Sequence, residues 1–152
     1  MKQKMKKVNL EKNVYQAMLE RLHFIFQEFD NIYISFSGGK DSGLLLNIVL
    51  DFRDQYYPSQ TIGVFHQDFE AQYSATTAYV EETFQMLEKR SSVELYWVCL
   101  PMATRTALSS YEMYWYPWDD KKETLWVRPM PEYDYVINLK NKFIPAQDPV
   151  KS

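Results

Sequence analysis

At 152 residues the chain is long enough for one domain with a sizeable buried core. Hydrophobic and charged contents of 46% and 24% are those of an ordinary globular protein, and a net charge of −3 argues against a nucleic-acid surface built on charge alone. The longest apolar run, Leu44 to Leu50, is broken by Asn47 and is far too short to span a bilayer. The lysine-rich start lacks the apolar stretch of a secretory signal, and a lone cysteine, Cys99, suits a reducing cytoplasm.

Residues 1–8 carry Lys2, Lys4, Lys6 and Lys7 and read as a solvated basic arm. From about Leu10 to Phe29, the residues Val14, Met18, Leu22, Ile25 and Phe29 recur at helical spacing, with Asn9 as a cap. His23 reads as a packing or surface histidine. Asp30-Asn31 breaks the helix. Ile32 to Phe36 is then a short β-branched and aromatic strand, followed by Ser37-Gly38-Gly39-Lys40-Asp41-Ser42 and an apolar helix to about Asp54.

That strand–turn–helix junction carries the chemistry. The turn aims several backbone N–H groups at one spot over the positive end of a helix dipole. Gly38 and Gly39 lack Cβ and let an oxyanion approach the main chain. Ser37 and Ser42 add hydroxyls, and Lys40 adds a mobile cation. Asp41 beside a phosphate calls for a bridging cation such as Mg²⁺. The loop is suited to a polyphosphate with a metal. Glycines at 38, 39, 43 and 63 only leave no room for G-x-x-x-x-G-K-[ST] before Ser42, nor for G-x-G-x-x-G.

Further along, Tyr57 to Gln60 is a turn and Thr61 to His66 a second strand, with Gln67-Asp68-Phe69-Glu70 as its polar exit. A helix covers roughly Tyr73 to Arg90, with Tyr79, Val80, Phe84 and Leu87 on one face. Val93 to Leu100 is a third strand, in which Cys99 reads as a small buried hydrophobe. Alternation of helix and strand predicts a parallel sheet with right-handed crossovers. Ligands of such sheets sit at the carboxyl ends of the strands, where 37–42 and 66–70 should converge. After Met102 the pattern fades. Thr104-Arg105-Thr106 is read as the start of a short helix, and Tyr135 to Leu139 as one more strand. The aromatic block between Tyr111 and Tyr135 has three readings: a second small core, a lid, or an interface with a partner or another copy. Stacking of nucleic-acid bases on Trp115 or Trp118 is not expected, with few cations around them.

Ser37 to Ser42 resembles the S-G-G-x-D-S signature of the PP-loop family, the ATP pyrophosphatases and 3′-phosphoadenosine-5′-phosphosulfate (PAPS) reductases. The wider likeness covers about residues 25–105 and is similar to a PAPS-reductase-like subgroup, some of whose members are described as regulators of gene expression. The resemblance implies a three-layer α/β/α fold with a mostly parallel sheet, of the adenine nucleotide alpha hydrolase (HUP) kind. In that reading 9–105 is the nucleotide-binding core, and 106–152 is an extension that begins a missing region. It implies ATP or PAPS with Mg²⁺ as ligands. Implied contacts are Ser35, Ser37, Gly38, Gly39, Lys40, Asp41, Ser42, main-chain groups at Phe65 and His66, Asp68, and Arg105 as an oxyanion clamp. Lys40 and Asp41 would act in catalysis, with Asp41 on the metal. The chain departs from the family at three places. Phe69-Glu70 replaces the usual Thr-Gly, no G-x-R-x-x-E-S segment follows residue 105, and no cysteine follows Cys99. Thiol reduction is therefore not assigned to this chain. The alternative is a non-catalytic nucleotide sensor acting through a protein or DNA partner.

Overall fold

A computed structural model of the chain describes residues 11–106 and 109–141. The basic arm at 1–8 and the end from Ile144 onward lie outside them. Helix α1, Val14–Glu28, starts at Asn13, not Asn9: Asn13 Oδ1 accepts from Gln16 N at 2.8 Å, and the Gln16 side chain answers to the Asn13 N–H. Its buried face is Leu22 and Phe26, whereas Val14 and Phe29 of the expected stripe are exposed. Phe26 packs on Phe52 and Tyr57, which swings the helix toward α2 (Lys40–Tyr56).

Strands β1 (Ile32–Ser35), β2 (Ile62–Gln67) and β3 (Val93–Val98) alternate with α2 and with α3 (Ser74–Leu87). Two short strands, β4 (Thr104–Arg105) and β5 (Tyr114–Trp115), form an antiparallel pair. The helix expected at Thr104 is thus a strand, because its residues find partners further along the chain, Thr104 opposite Trp115 and Arg105 opposite Tyr114. A 3₁₀ helix, Asp120–Leu125, precedes β6 (Val136–Ile137). The main sheet runs β1-β2-β3-β6, parallel throughout. The chain therefore folds as an α/β domain on a mostly parallel sheet. Among the described residues no helix is long and apolar enough to cross a membrane.

Register decides which side chains meet the helices. Ile34 lies beside Val64 and His66 beside Trp97, so these residues share one face. That face, with Leu46, Leu50, Val80, Phe84 and Leu87 from α2 and α3, forms the core. The alternate residues Tyr33, Ser35, Phe65, Glu94 and Tyr96 point the other way. Tyr33 is 59% exposed, and its ring lies over Gly63, where a Cβ would come within 2.2 Å of Cδ1. Parallel sheets are ordinarily covered on both faces. Among the described residues this one has two layers, with the second face bare of helices.

Candidate functional site

The signature loop joins β1 to α2. Gly38 has φ +78°, a left-handed conformation that glycine adopts without strain. A Cβ there would also lie 2.7 Å from Val80 Cγ2 and 2.9 Å from Thr76 Cγ2 of α3. Gly39 is the N-cap of the 17-residue α2, with no side chain bonding its first turn. The N–H groups of Lys40, Asp41 and Ser42 precede any intrahelical acceptor, as at every helix start. The two serines brace the turn from within. Ser42 Oγ lies 3.0 Å from Ser37 Oγ and donates to Gly39 O at 2.9 Å. Lys40 and Asp41 are exposed at the helix start. These are the donors and the charge that an anionic, metal-bridged ligand needs, held on a rigid element. Ser35 also faces solvent, on the bare side of the sheet.

The second strand meets the loop from below. Phe36 N donates to Phe65 O at 2.7 Å, and His66 Nδ1 lies 2.8 Å from Phe36 O. The two candidate segments thus converge through Phe36. Because β2 is paired on both sides, Phe65 O is already in use, and the Phe65 and His66 main chain presents no open edge for a base. His66 is fully buried, and burial lowers its pKa despite the bond to Phe36 and the nearby Asp68 carboxylate.

Asp68 departs most from expectation. It is neither a solvated turn residue nor a free acid facing a nucleotide; it is fully buried with both oxygens engaged. Arg128 Nη2 lies 2.6 Å from Oδ1 and from Oδ2, Trp97 Nε1 donates to Oδ2 at 2.7 Å, and Glu70 N donates to Oδ1 at 2.7 Å. Its main-chain oxygen accepts Trp118 Nε1 at 3.1 Å. Glu70 is equally embedded: Trp118 N and Val127 N bond its two carboxylate oxygens, and Arg128 Nε its carbonyl. Both Glu70 (φ 61°) and Trp118 (φ 56°) hold left-handed backbone at this junction. Trp118 is 1% exposed, meets Trp126 edge to face, and lies under the Arg128 guanidinium. Trp118 and Tyr135 join the one main core, with Trp126 and Tyr133 packed against it. The segment is pinned on the strand exit by Asp68 and Glu70. Tyr111, Tyr114 and Tyr116 of the same block are exposed, so the block is not a separate second core. Local sequence does not mark Glu70, Arg128 or Trp97 for this role. Their signal was an acid leaving an apolar strand, which burial would force to find a cation.

Arg105 sits exposed on β4 opposite Tyr114, and among the described residues no hydrogen bond or ion pair joins it to the loop. Cys99 is buried 3.8 Å from Asp68 Oδ2; burial, then the Asp68 charge, pushes its thiol pKa up. Two cavities flank these elements. One of 590 Å³ is lined by Cys99, Trp118, Trp126, Arg128, Met130 and Tyr133 among others, and none of residues 37–42 reaches it. The other, 710 Å³, lies between the β2 exit and α3 and includes Gln72, Tyr73 and Thr76, the last also touching the Gly38 position. No group of three or more His, Cys, Asp or Glu gathers as a metal cluster among the described residues. A cation at the loop would therefore share its oxygens with a ligand.

Fold and site together define an α/β domain with a strand–glycine turn–helix loop at the carboxyl end of a parallel sheet. Uncharacterized protein YbdN of Escherichia coli (strain K12) is 36% identical to the chain over 126 residues, covering 83% of this chain and 30% of that protein. The chain thus spans less than a third of the length of that relative. No family model matches the chain, and no solved structure matches it.

Proposed function

We propose that the chain is a PP-loop domain of the PAPS-reductase-like, HUP-fold kind that binds ATP or an adenosine phosphosulfate together with Mg²⁺ in the cytoplasm. The carrying observation is the Gly38 turn at the start of α2, which leaves the N–H groups of Lys40, Asp41 and Ser42 pointing out of a rigid helix end. Those amides and the Lys40 ammonium hold phosphate oxygens and stabilise charge that builds on them. Asp41 would hold the cation. Bound Mg²⁺ supplies neutralisation of the polyphosphate and polarisation of the bond to be cleaved. If the domain turns over, the reaction is cleavage between the α- and β-phosphates of ATP or transfer at a sulfonucleotide. In the three-layer form of this fold, the bare sheet face is where the third layer lies.

A non-catalytic nucleotide sensor, working through a protein or DNA partner, is the second reading. It is favoured by Cys99, a buried thiol with a raised pKa that cannot serve as a nucleophile on a sulfonucleotide.

Thermal denaturation with ATP plus Mg²⁺, and separately with PAPS, tests the proposal. Ligand at about 100 times its Kd stabilises by about 2.7 kcal/mol, which is roughly 5–10 °C for a domain of this size. Lys40→Ala and Asp41→Ala should each diminish the shift. The absence of any shift in a folded protein with either ligand would refute nucleotide binding. A shift without turnover would favour the sensor.

A further inference from the structure

We infer that His66 is a positioning residue for the phosphate loop, acting through the main chain and without touching the ligand; this rests on the nucleotide reading above. Phe36 is the last residue before the loop, and its two main-chain groups are both tied to β2. Its N–H bonds Phe65 O at 2.7 Å, and its C=O lies 2.8 Å from His66 Nδ1. A carbonyl can only accept, so Nδ1 carries the proton and Nε2 carries a lone pair. His66 is fully buried, so this bond is made without competition from water. The peptide it holds leads directly into Ser37 and Gly38. There the turn has little slack, with Thr76 and Val80 already within 3 Å of where a Gly38 Cβ would be. Loss of the His66 bond leaves a buried carbonyl unpaired beside the turn and frees the peptide to rotate. The direction of the loop amides then changes.

Among the described residues Nε2 meets no hydrogen-bond partner, and the buried Oε1 of Gln72 beside it meets none either. A lone pair on Nε2 calls for a donor, which the Gln72 side chain would supply with its NH₂ group, in place of Oε1, turned to the ring. Gln72 lines the cavity beside the loop. The line Gln72–His66–Phe36 therefore connects that cavity to the turn.

The test uses His66→Leu, which removes the donor, and His66→Asn, whose side-chain NH₂ can replace Nδ1–H. Nuclear magnetic resonance of the ligand-free proteins reads the Gly38 and Gly39 amides, and calorimetric titration reads ATP–Mg²⁺ affinity, with Lys40→Ala as the reference. We expect displaced Gly38 and Gly39 signals and about 10-fold weaker binding in His66→Leu, the value of one buried hydrogen bond. His66→Asn should restore both to near wild type. Wild-type affinity and unmoved loop signals in His66→Leu, with binding lost in Lys40→Ala, would overturn the inference. The ring ¹⁵N spectrum of the wild type decides independently of how the variants fold: a proton on Nε2 in place of Nδ1 would also overturn it. A wild type that binds neither ATP–Mg²⁺ nor PAPS refutes the nucleotide reading, and the Gly38 signals and ring spectrum then judge the His66 brace alone.

Discussion

Arg128 closes on Asp68 across 60 positions of sequence, a single Nη2 lying 2.6 Å from both carboxylate oxygens while its Nε holds the carbonyl of Glu70. Asp68 has no exposure at all. Removing the cation strands a buried charge, which costs far more than an exposed ion pair is worth. Arg128→Ala should lower stability by about 3–5 kcal/mol in urea denaturation. Arg128→Lys should recover only part of it, since one ammonium cannot serve Asp68 and the Glu70 carbonyl together. Near-neutral behaviour of Arg128→Ala would mean that the aromatic segment is held on by something else.

Gly38 and Gly39 should respond differently to alanine. At Gly38 the backbone is left-handed and a Cβ meets α3, so Gly38→Ala should cost about 1–3 kcal/mol. At Gly39 φ is −83° and the nearest atom to an added Cβ is Ser37 Oγ at 3.4 Å. Gly39→Ala should therefore melt within a degree or two of wild type. Thermal denaturation of the two variants side by side provides the comparison.

His66 gives stability a dependence on pH. The groups acting on it are the burial that lowers its pKa, the Phe36 carbonyl, Asp68 and Gln72 that raise it, and Arg128 that lowers it; the net shift is downward from 6.5. Unfolded chains therefore bind more protons at this site than folded ones, and stability rises with pH through the window. The contribution is complete above about pH 6.5 and is lost as the pH falls below it toward the folded value. Denaturant midpoints measured between pH 5 and 8 should show the slope, and His66→Asn should flatten it.

Cys99 should be chemically silent in the native state. Its side chain is 1% exposed and its thiol pKa is raised by burial. A thiol reagent should label it at the rate of unfolding and immediately in denaturant. Rapid labelling of the folded protein would show that the strand is open there.

What was legible in the sequence was local. The order of α1 to β3 follows from apolar periodicity and the small-residue turn at Gly38, both of which act over a few residues. What failed was long-range. Asn9 and Asn13 both suit a cap, and the choice fell to Gln16, the third helical residue, whose side chain completes the box only with Asn13. Thr104 became a strand because Trp115 supplies a partner. Asp68 looked available because its cation lies far downstream, and nothing near it in sequence announces Arg128. The glycine turn could be placed from its own residues, whereas the roles of Glu70, Trp97 and Trp118 emerge only once the aromatic block lies against the strand exit.

A sheet with helices on a single side has a front and a back. The glycine turn, the His66 contact and the Asp68–Arg128 pair are all fixed from the front and from the strand ends, while Tyr33, Phe65 and Tyr96 make up the back. Polypeptide laid against that back would leave the front as it is. One-sidedness of this kind leaves a whole face of the sheet open to cover while the loop side stays fixed.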